Sequence, residues 1–269
     1  MAEYFVAAVQ ACSGPDKEAN LTKAASRIEA ASRRGCRLVV LPELFSWRPR
    51  DETDTSGAET VPGPTSELCS SWAKKYDVFL VAGSILERAE GGKAYNTALC
   101  FDPSGRLLAR YRKIHLFDVD LPGGVQFRES SSRLAGTELT VVPTEIGVLG
   151  LAICYDLRFP ELFRAMVRRG TQVFCIPSAF THVTGAAHWE VLLRARAVEN
   201  QAYVVAPNQV GTTPRGSRDF GNTMVVDPWG VPVARVGETE DLAIAKVDLA
   251  YLERIRRDFP CLEHTKFPS

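Results

Sequence analysis

The chain carries no surplus of charge: Lys and Arg total 32, Asp and Glu total 32, and only four histidines are present. A neutral protein gives no electrostatic case for nucleic acid or an anionic membrane surface. RYRK (110–113) is short, and no longer basic run occurs. No stretch of about 18 apolar residues appears, so no transmembrane helix is expected. MAEYFVAAVQ (1–10) has no basic start and reads as a first strand, not a signal peptide. The histidines show no metal-ligand spacing. Cys12, Cys36, Cys69, Cys100, Cys154, Cys175 and Cys261 are scattered, odd in number and free of any CxxC pair. No metal site is therefore expected. These read as reduced cysteines of a cytoplasmic protein, several filling strands as small hydrophobes.

What is present suffices for a sizeable core: 269 residues, 45% of them hydrophobic. Tyr4–Gln10 reads as a buried strand. Asp16–Arg34 reads as a helix, with Leu21, Ala24, Ile28 and Ala31 at helical spacing and Gly35 as its stop. A strand at 37–41 leads to Glu43, and DPSG (102–105) turns a hairpin whose second strand leads to Lys113. The stretch 115–136 has weak periodicity and reads as a long loop. Another hairpin ends at Cys154, and Pro160 starts a helix closed by Gly170. A helix is expected over 188–200.

The chain repeats itself. RRGCRLVVLPELF (33–45) lines up with RRGTQVFCIPSAF (168–180), and NTALCFDPSGRLLAR (96–110) with NTMVVDPWGVPVAR (222–235). Two repeated blocks in one order argue for two similar α/β halves. Each half buries one sheet face on the other and covers its outer face with helices. The expected architecture is an α-β-β-α sandwich with a pseudo-two-fold repeat, counted as one domain over 1–269. Glu43 falls opposite Ser178 in this alignment, so the halves diverge at the cleft.

Cys154, Glu43 and Lys113 each close a β-rich segment and can meet at one sheet edge. A cysteine is a good nucleophile only as thiolate. A nearby carboxylate can take its proton, and a nearby ammonium or helix N-terminus can favour the anion. Attack on an amide makes an oxyanion, which Lys113 and the backbone N–H of Tyr155 can stabilise. Glu43 can then protonate the departing ammonia and activate water against the thioester. This scheme needs neither metal nor organic cofactor. Taken singly, each residue has a plainer reading: a buried strand cysteine, a surface lysine beside Arg112, a carboxylate among Leu41, Leu44 and Phe45.

Together the segments LPELF, YRKIHLFD and CYDLRFPE resemble the motifs of the nitrilase, or carbon–nitrogen hydrolase, superfamily, over about residues 4–255. The resemblance implies that Cys154 is the nucleophile, Glu43 the general base and acid, and Lys113 the oxyanion donor. It implies a second glutamate, Glu129 in QFRESSS (126–132), orienting Lys113 or a substrate amide. It further implies the same sandwich fold and homodimers paired across the helix near Pro160. Tyr155 and Asp156 stand where true nitrilases usually have Trp-Glu.

Within the superfamily, DVDLPGGVQFRES (118–130), the segment 178–206 and MVVDPWG (224–230) look most like the Nit amidase branch. That branch hydrolyses the terminal amide of short 2-oxo dicarboxylic acid amides. The substrate would then carry a carboxylate, which the Arg158 guanidinium can grip through two hydrogen bonds. A structural salt bridge is the other reading of Arg158. Phe180 and Thr184 match pocket-lining positions, Phe117 is expected as an opposite wall, and GGVQ (123–126) at the mouth. The same triad would also serve an N-carbamoyl hydrolase. His115 and His188 read as structural, the latter opening a helix, Trp47 and Trp189 as packing or pocket wall, and Asp156 and Glu161 as helix-start charges.

Overall fold

The computed structural model describes residues 3–51, 53–121 and 125–266. Two six-stranded paths organise it. The first sheet runs Leu242–Asp248, Glu3–Val9, Cys36–Val40, Phe79–Val81, Ala94–Phe101, Ile85–Arg88. Leu107–Arg112 and the short Arg133–Leu134 also pair with Ala94–Phe101. The second sheet runs Thr140–Thr144, Gly147–Leu151, Val173–Cys175, Tyr203–Ala206, Met224–Val226, Pro232–Arg235. In each, an antiparallel edge pair is followed by two parallel pairs and then a return to antiparallel. The parallel pairs need crossovers, and helices supply them. Helices α1 (Lys17–Arg33) and α2 (Pro64–Tyr76) serve the first sheet; α3 (Pro160–Arg168) and α4 (His182–Asn200) serve the second. A last helix, α5 (Leu249–Asp258), follows the strand that closes the first sheet. The repeat seen in the sequence is thus a repeat of topology.

The side-chain alternation of a strand sorts the core into layers. Val6, Ala8, Leu38 and Val40 join one buried cluster with Leu149, Leu151, Val173 and Cys175 of the other sheet. Their neighbours Ala7, Val9, Val39 and Leu41 join a second cluster with Ala24, Ile28, Cys69 and Trp72 of α1 and α2. Phe163 of α3 packs edge-on against Phe174, 5.0 Å between ring centroids, covering the second sheet's outer face. The result is the expected α-β-β-α sandwich. All seven cysteines are free. Burial pushes Cys36 up to about 11 and Cys100 up to about 12, which keeps them inert fillers.

Two local readings change. The stretch 115–136 is not a plain loop: Asp118–Leu121 and Val125–Arg128 pair as a hairpin, and Glu129–Ser131 forms a 3-10 turn. Its alternation is hidden because charged residues such as Asp120 and Arg128, ion-paired at 2.7 Å, take outward positions. Gly123 and Gly124, expected at the site's mouth, lie outside the described residues. Helix α4 begins at His182, capped by Thr181, whose hydroxyl accepts the Thr184 N–H. His188 therefore lies inside it. Inside the helix, a Cβ at Gly185 would sit 2.4 Å from the Phe220 side chain, so close packing requires glycine there. Asp156 is a charge of the first turn of Cys154–Arg158, as expected, but it is fully buried there, not a surface group. Among the described residues, no helix is long and apolar enough to cross a membrane.

Candidate active site

Glu43, Lys113 and Cys154 meet where the two sheets abut. Glu43 follows the strand Cys36–Val40 in a turn whose next residue, Leu44, has φ 52°. That left-handed conformation costs a non-glycine residue roughly 1–2 kcal/mol. Hydrogen bonds hold it: Leu44 N–H donates to Ser84 Oγ at 2.9 Å, and Gln209 Nε2 donates to the Glu43 carbonyl at 2.8 Å. Lys113 directly follows Leu107–Arg112, and its backbone is pinned on both sides, its N–H to Asn96 O and its C=O to Gly136 N–H, each at 2.8 Å. Cys154 opens the 3-10 turn Cys154–Arg158 and also has a positive φ, 48°. Its N–H donates to Pro177 O at 2.9 Å. A strained residue held by fixed neighbours presents its side chain in one direction.

The ionised side chains form a closed set. Lys113 Nζ donates to Glu129 Oε2 at 2.8 Å and to Glu43 Oε1 at 3.2 Å. Asn96 Nδ2 donates to the same two carboxylates, at 2.7 Å to Glu43 and 3.3 Å to Glu129. Phe117 N–H adds a bond of 2.7 Å to Glu129. The Cys154 thiol is hydrogen-bonded to Glu43, and the Ala179 N–H points at its sulfur. Burial lowers the affinity of Lys113 for its proton, but Glu129 and Glu43 outweigh this and hold its ammonium well above the ordinary range. Burial and the Glu43 charge push the Cys154 thiol well up, against the opposing pull of Lys113 and the Ala179 N–H. The resting sulfur is therefore a thiol that surrenders its proton when it attacks. An ammonium has three donors, so Lys113 keeps one for a third acceptor. The Tyr155 N–H, second in the 3-10 turn, makes no backbone hydrogen bond among the described residues. First-turn N–H groups are open in this way.

Asp156 ties these parts together. It accepts from Tyr111 Oη (2.6 Å), Ile153 N–H (2.9 Å) and His115 N–H (3.0 Å), and lies 2.7 Å from His115 Nδ1. Tyr111 and His115 flank Lys113 by two residues on either side, so one carboxylate joins the lysine segment to the cysteine turn. His115 also stacks on Phe159 at 3.6 Å.

A cavity of about 100 Å³ opens over Cys154, lined by Glu43, Lys113, Glu129 and, further round, Arg48, Arg215 and Asp219. A smaller recess of about 20 Å³ adjoins it, lined by Tyr155, Arg158, Phe180 and Thr184. Phe117 lines both, and its ring meets Tyr155 and Phe127 at 5.0 Å each. Arg158 Nη1 lies 3.2 Å from His188 Nδ1, with its guanidinium 5.4 Å from the Phe180 ring. Trp189 backs Phe180 at 4.8 Å, while Trp47 packs with Ala58, Leu86 and Ala94, away from the site. Among the described residues no group of three His, Cys, Asp or Glu side chains is placed to hold a metal ion. All nine residues expected at the site line these two spaces. Asn96, Asp156, Ala179, Arg48 and Asp219 were not expected. Asn96 heads a repeated Asn-Thr pair, which was its one signal in the sequence.

The carbon–nitrogen hydrolase family profile matches residues 5–257. A deaminated glutathione amidase of Synechocystis sp. is 41% identical, covering 99% of this chain and all of that one. Omega-amidase NIT2-B of Xenopus laevis is 40% identical, covering 97% and 94%. The crystal structure of Saccharomyces cerevisiae Nit3, a member of branch 10 of the nitrilase superfamily, superposes with a TM-score of 0.88 at 36% identity, covering 98% and 97%.

Proposed function

The chain belongs to the carbon–nitrogen hydrolase family and hydrolyses amides, and we propose that it does so through a Cys154 thioester on small 2-oxo dicarboxylic acid amides. The observation that carries this reading is the buried set Glu43–Lys113–Glu129 around the Cys154 thiol. As the sulfur attacks the carbonyl carbon, its proton passes to Glu43. The oxyanion forms between the third donor of Lys113 and the Tyr155 N–H, in a dry site where each is worth several kcal/mol, of order 3. Glu43 gives the proton to the nitrogen, the C–N bond breaks, and ammonia or an amine leaves. Water then enters, loses a proton to Glu43 and attacks the thioester, freeing acid and thiol. Glu129 holds Lys113 in place. Arg158 receives the acyl carboxylate, with Phe180 and Thr184 shaping the recess.

The names of the relatives, a deaminated glutathione amidase and an omega-amidase, support this substrate class. The free cysteines favour the cytoplasm. The whole chain is taken as one functional unit. The homodimer expected across the helix beginning at Pro160, α3, is proposed instead to centre on its neighbour α4, where Val191 and Val198 are 61% and 51% exposed. Trp229, 58% exposed, extends the apolar patch from a hairpin whose Gly230 packs on Val198.

The test is ammonia release from 2-oxoglutaramate and 2-oxosuccinamate by the chain and by Cys154→Ala. Release that vanishes in the variant is expected. Release only from a carbamoyl amino acid, with carbon dioxide, would assign the chain to carbamoyl hydrolysis instead.

A further inference from the structure

Arg158 is the one cation among the described residues lining the recess beside Cys154, and no carboxylate lines it. Arg158 ends the 3-10 turn that Cys154 opens, so its backbone is set relative to the sulfur. Its head is held by neutral groups. The guanidinium lies 5.7 Å from the Tyr155 ring and 5.4 Å from the Phe180 ring, and Nη1 lies 3.2 Å from His188 Nδ1. Among the described residues no ion pair involves Arg158. Arg48, which lines the larger cavity, is by contrast ion-paired with Asp219.

The contact with His188 has only one chemical sense. A guanidinium donates and cannot accept. Nδ1 therefore offers its lone pair, and the imidazole is assigned as neutral with its proton on Nε2. The ring is carried on a firm base. His188 lies within α4, and its neighbour Trp189 is fully buried and donates from Nε1 to Asn222 O at 2.8 Å. The imidazole itself is exposed, so its replacement leaves the core intact.

A carboxylate in place of this ring would bind Arg158 more strongly. It would also cancel the charge of Arg158 and compete with any anion entering the recess. A neutral acceptor orients the planar fork and leaves both its charge and its other N–H groups open. We propose that His188 is a positioning residue for substrate selection, its neutral Nδ1 aiming the Arg158 guanidinium at the acyl carboxylate. This rests on the amidase reading and on Arg158 as the receiver of that carboxylate. His188 itself moves no proton in the reaction. It acts on the KM of carboxylate-bearing amides and leaves kcat alone.

Steady-state hydrolysis of 2-oxoglutaramate and of its methyl ester, an uncharged twin, tests this in the wild type, His188→Ala, His188→Gln and His188→Glu. The wild type is expected to have the lower KM for the acid. His188→Ala raises that KM about three- to tenfold, the scale of one partly exposed hydrogen bond to a charged group. Its kcat and its KM for the ester stay as in the wild type. His188→Gln, whose side-chain oxygen also accepts without a charge, restores most of the affinity, whereas His188→Glu does not. An unchanged KM in His188→Ala, or an equal rise for acid and ester, would overturn the proposal while leaving the amidase reading intact. So would a Gln variant no better than Ala, or a Glu variant as good as Gln. A wild type that treats acid and ester alike removes Arg158 as the receiver, and the proposal with it. Failure to hydrolyse either substrate overturns the amidase reading itself.

Discussion

Lys113 lies closer to Glu129 than to Glu43, 2.8 Å against 3.2 Å, while Asn96 reverses the preference at 3.3 Å and 2.7 Å. One ammonium and one amide thus tie two buried carboxylates together, and Glu129 takes the larger share of the positive charge. Glu43 keeps its other bond for the thiol.

Glu129→Gln should therefore act through Lys113. Burial disfavours the ammonium, and Glu129 is its largest opposing charge. Without it, Lys113 releases its proton at lower pH. The alkaline limb of kcat/KM should move to lower pH, and kcat at neutral pH should fall by roughly 10–100-fold with little change in KM. A pH–rate profile superposable on the wild type would refute this role.

Glu43→Gln should separate nucleophile ionisation from turnover. The Glu43 charge and its hydrogen bond both raise the Cys154 pKa, so their loss lowers it. The pH midpoint for iodoacetamide alkylation of Cys154 should shift down while amide hydrolysis falls by about 10³-fold or more. Mass spectrometry of the labelled peptide checks both the site and the direction.

Tyr111→Phe removes one of the hydrogen bonds to buried Asp156. A bond to a charged acceptor contributes about 1.5–3 kcal/mol. For a chain of this size that lowers the melting temperature by about 3–12 °C. Calorimetry reads the shift, and a fewfold drop in kcat should accompany it because the same carboxylate joins the lysine segment to the cysteine turn.

Acid should unfold the protein partly through Glu87, which is 3% exposed and accepts from Thr97, Arg110 and Arg112 at 2.7–2.9 Å. Burial alone would raise its pKa, but Arg112, Thr97 and Arg110 hold it below the ordinary 4.5. A depressed carboxylate stabilises the fold above its ordinary pKa and loses that contribution as pH falls through the folded value. Glu87→Gln should be less stable than the wild type at neutral pH and decline less steeply between about pH 5 and pH 3. Urea melts across that range give the comparison.

Val191→Glu places a charge on the apolar face of α4. Equilibrium sedimentation should find the wild type dimeric and the variant shifted towards monomer, with the secondary structure unchanged. Two equally monomeric proteins would discard the interface.

Much of this site is readable in the sequence because Glu43, Lys113 and Cys154 each follow a β-strand closely. The strand brings each to the cleft, and distant partners such as Gln209 and Asn96 then fix it there. The repeat gave the sandwich for a similar reason, since Asn-Thr and the Asp-Pro turns recur at matching places. Asp156 was legible as a helix-start charge but not as a buried link, because its partners, Tyr111 and His115, lie some forty residues back and no local pattern shows that it is buried. Arg48 and Arg215 come from loops without periodicity and Asp219 from the three-residue strand Arg218–Phe220, and they line one cavity only in the folded chain.

The strand Glu3–Val9 lies inside its sheet, between Cys36–Val40 and Leu242–Asp248. A nascent chain emerges N-terminus first at about 5–20 residues per second, so this strand waits roughly 10–50 s for its second neighbour to be made. An unpaired strand edge is a template for pairing with another chain. Translation that halts before Leu242 therefore yields an open sheet with a vacant edge, a substrate for chaperones and for aggregation.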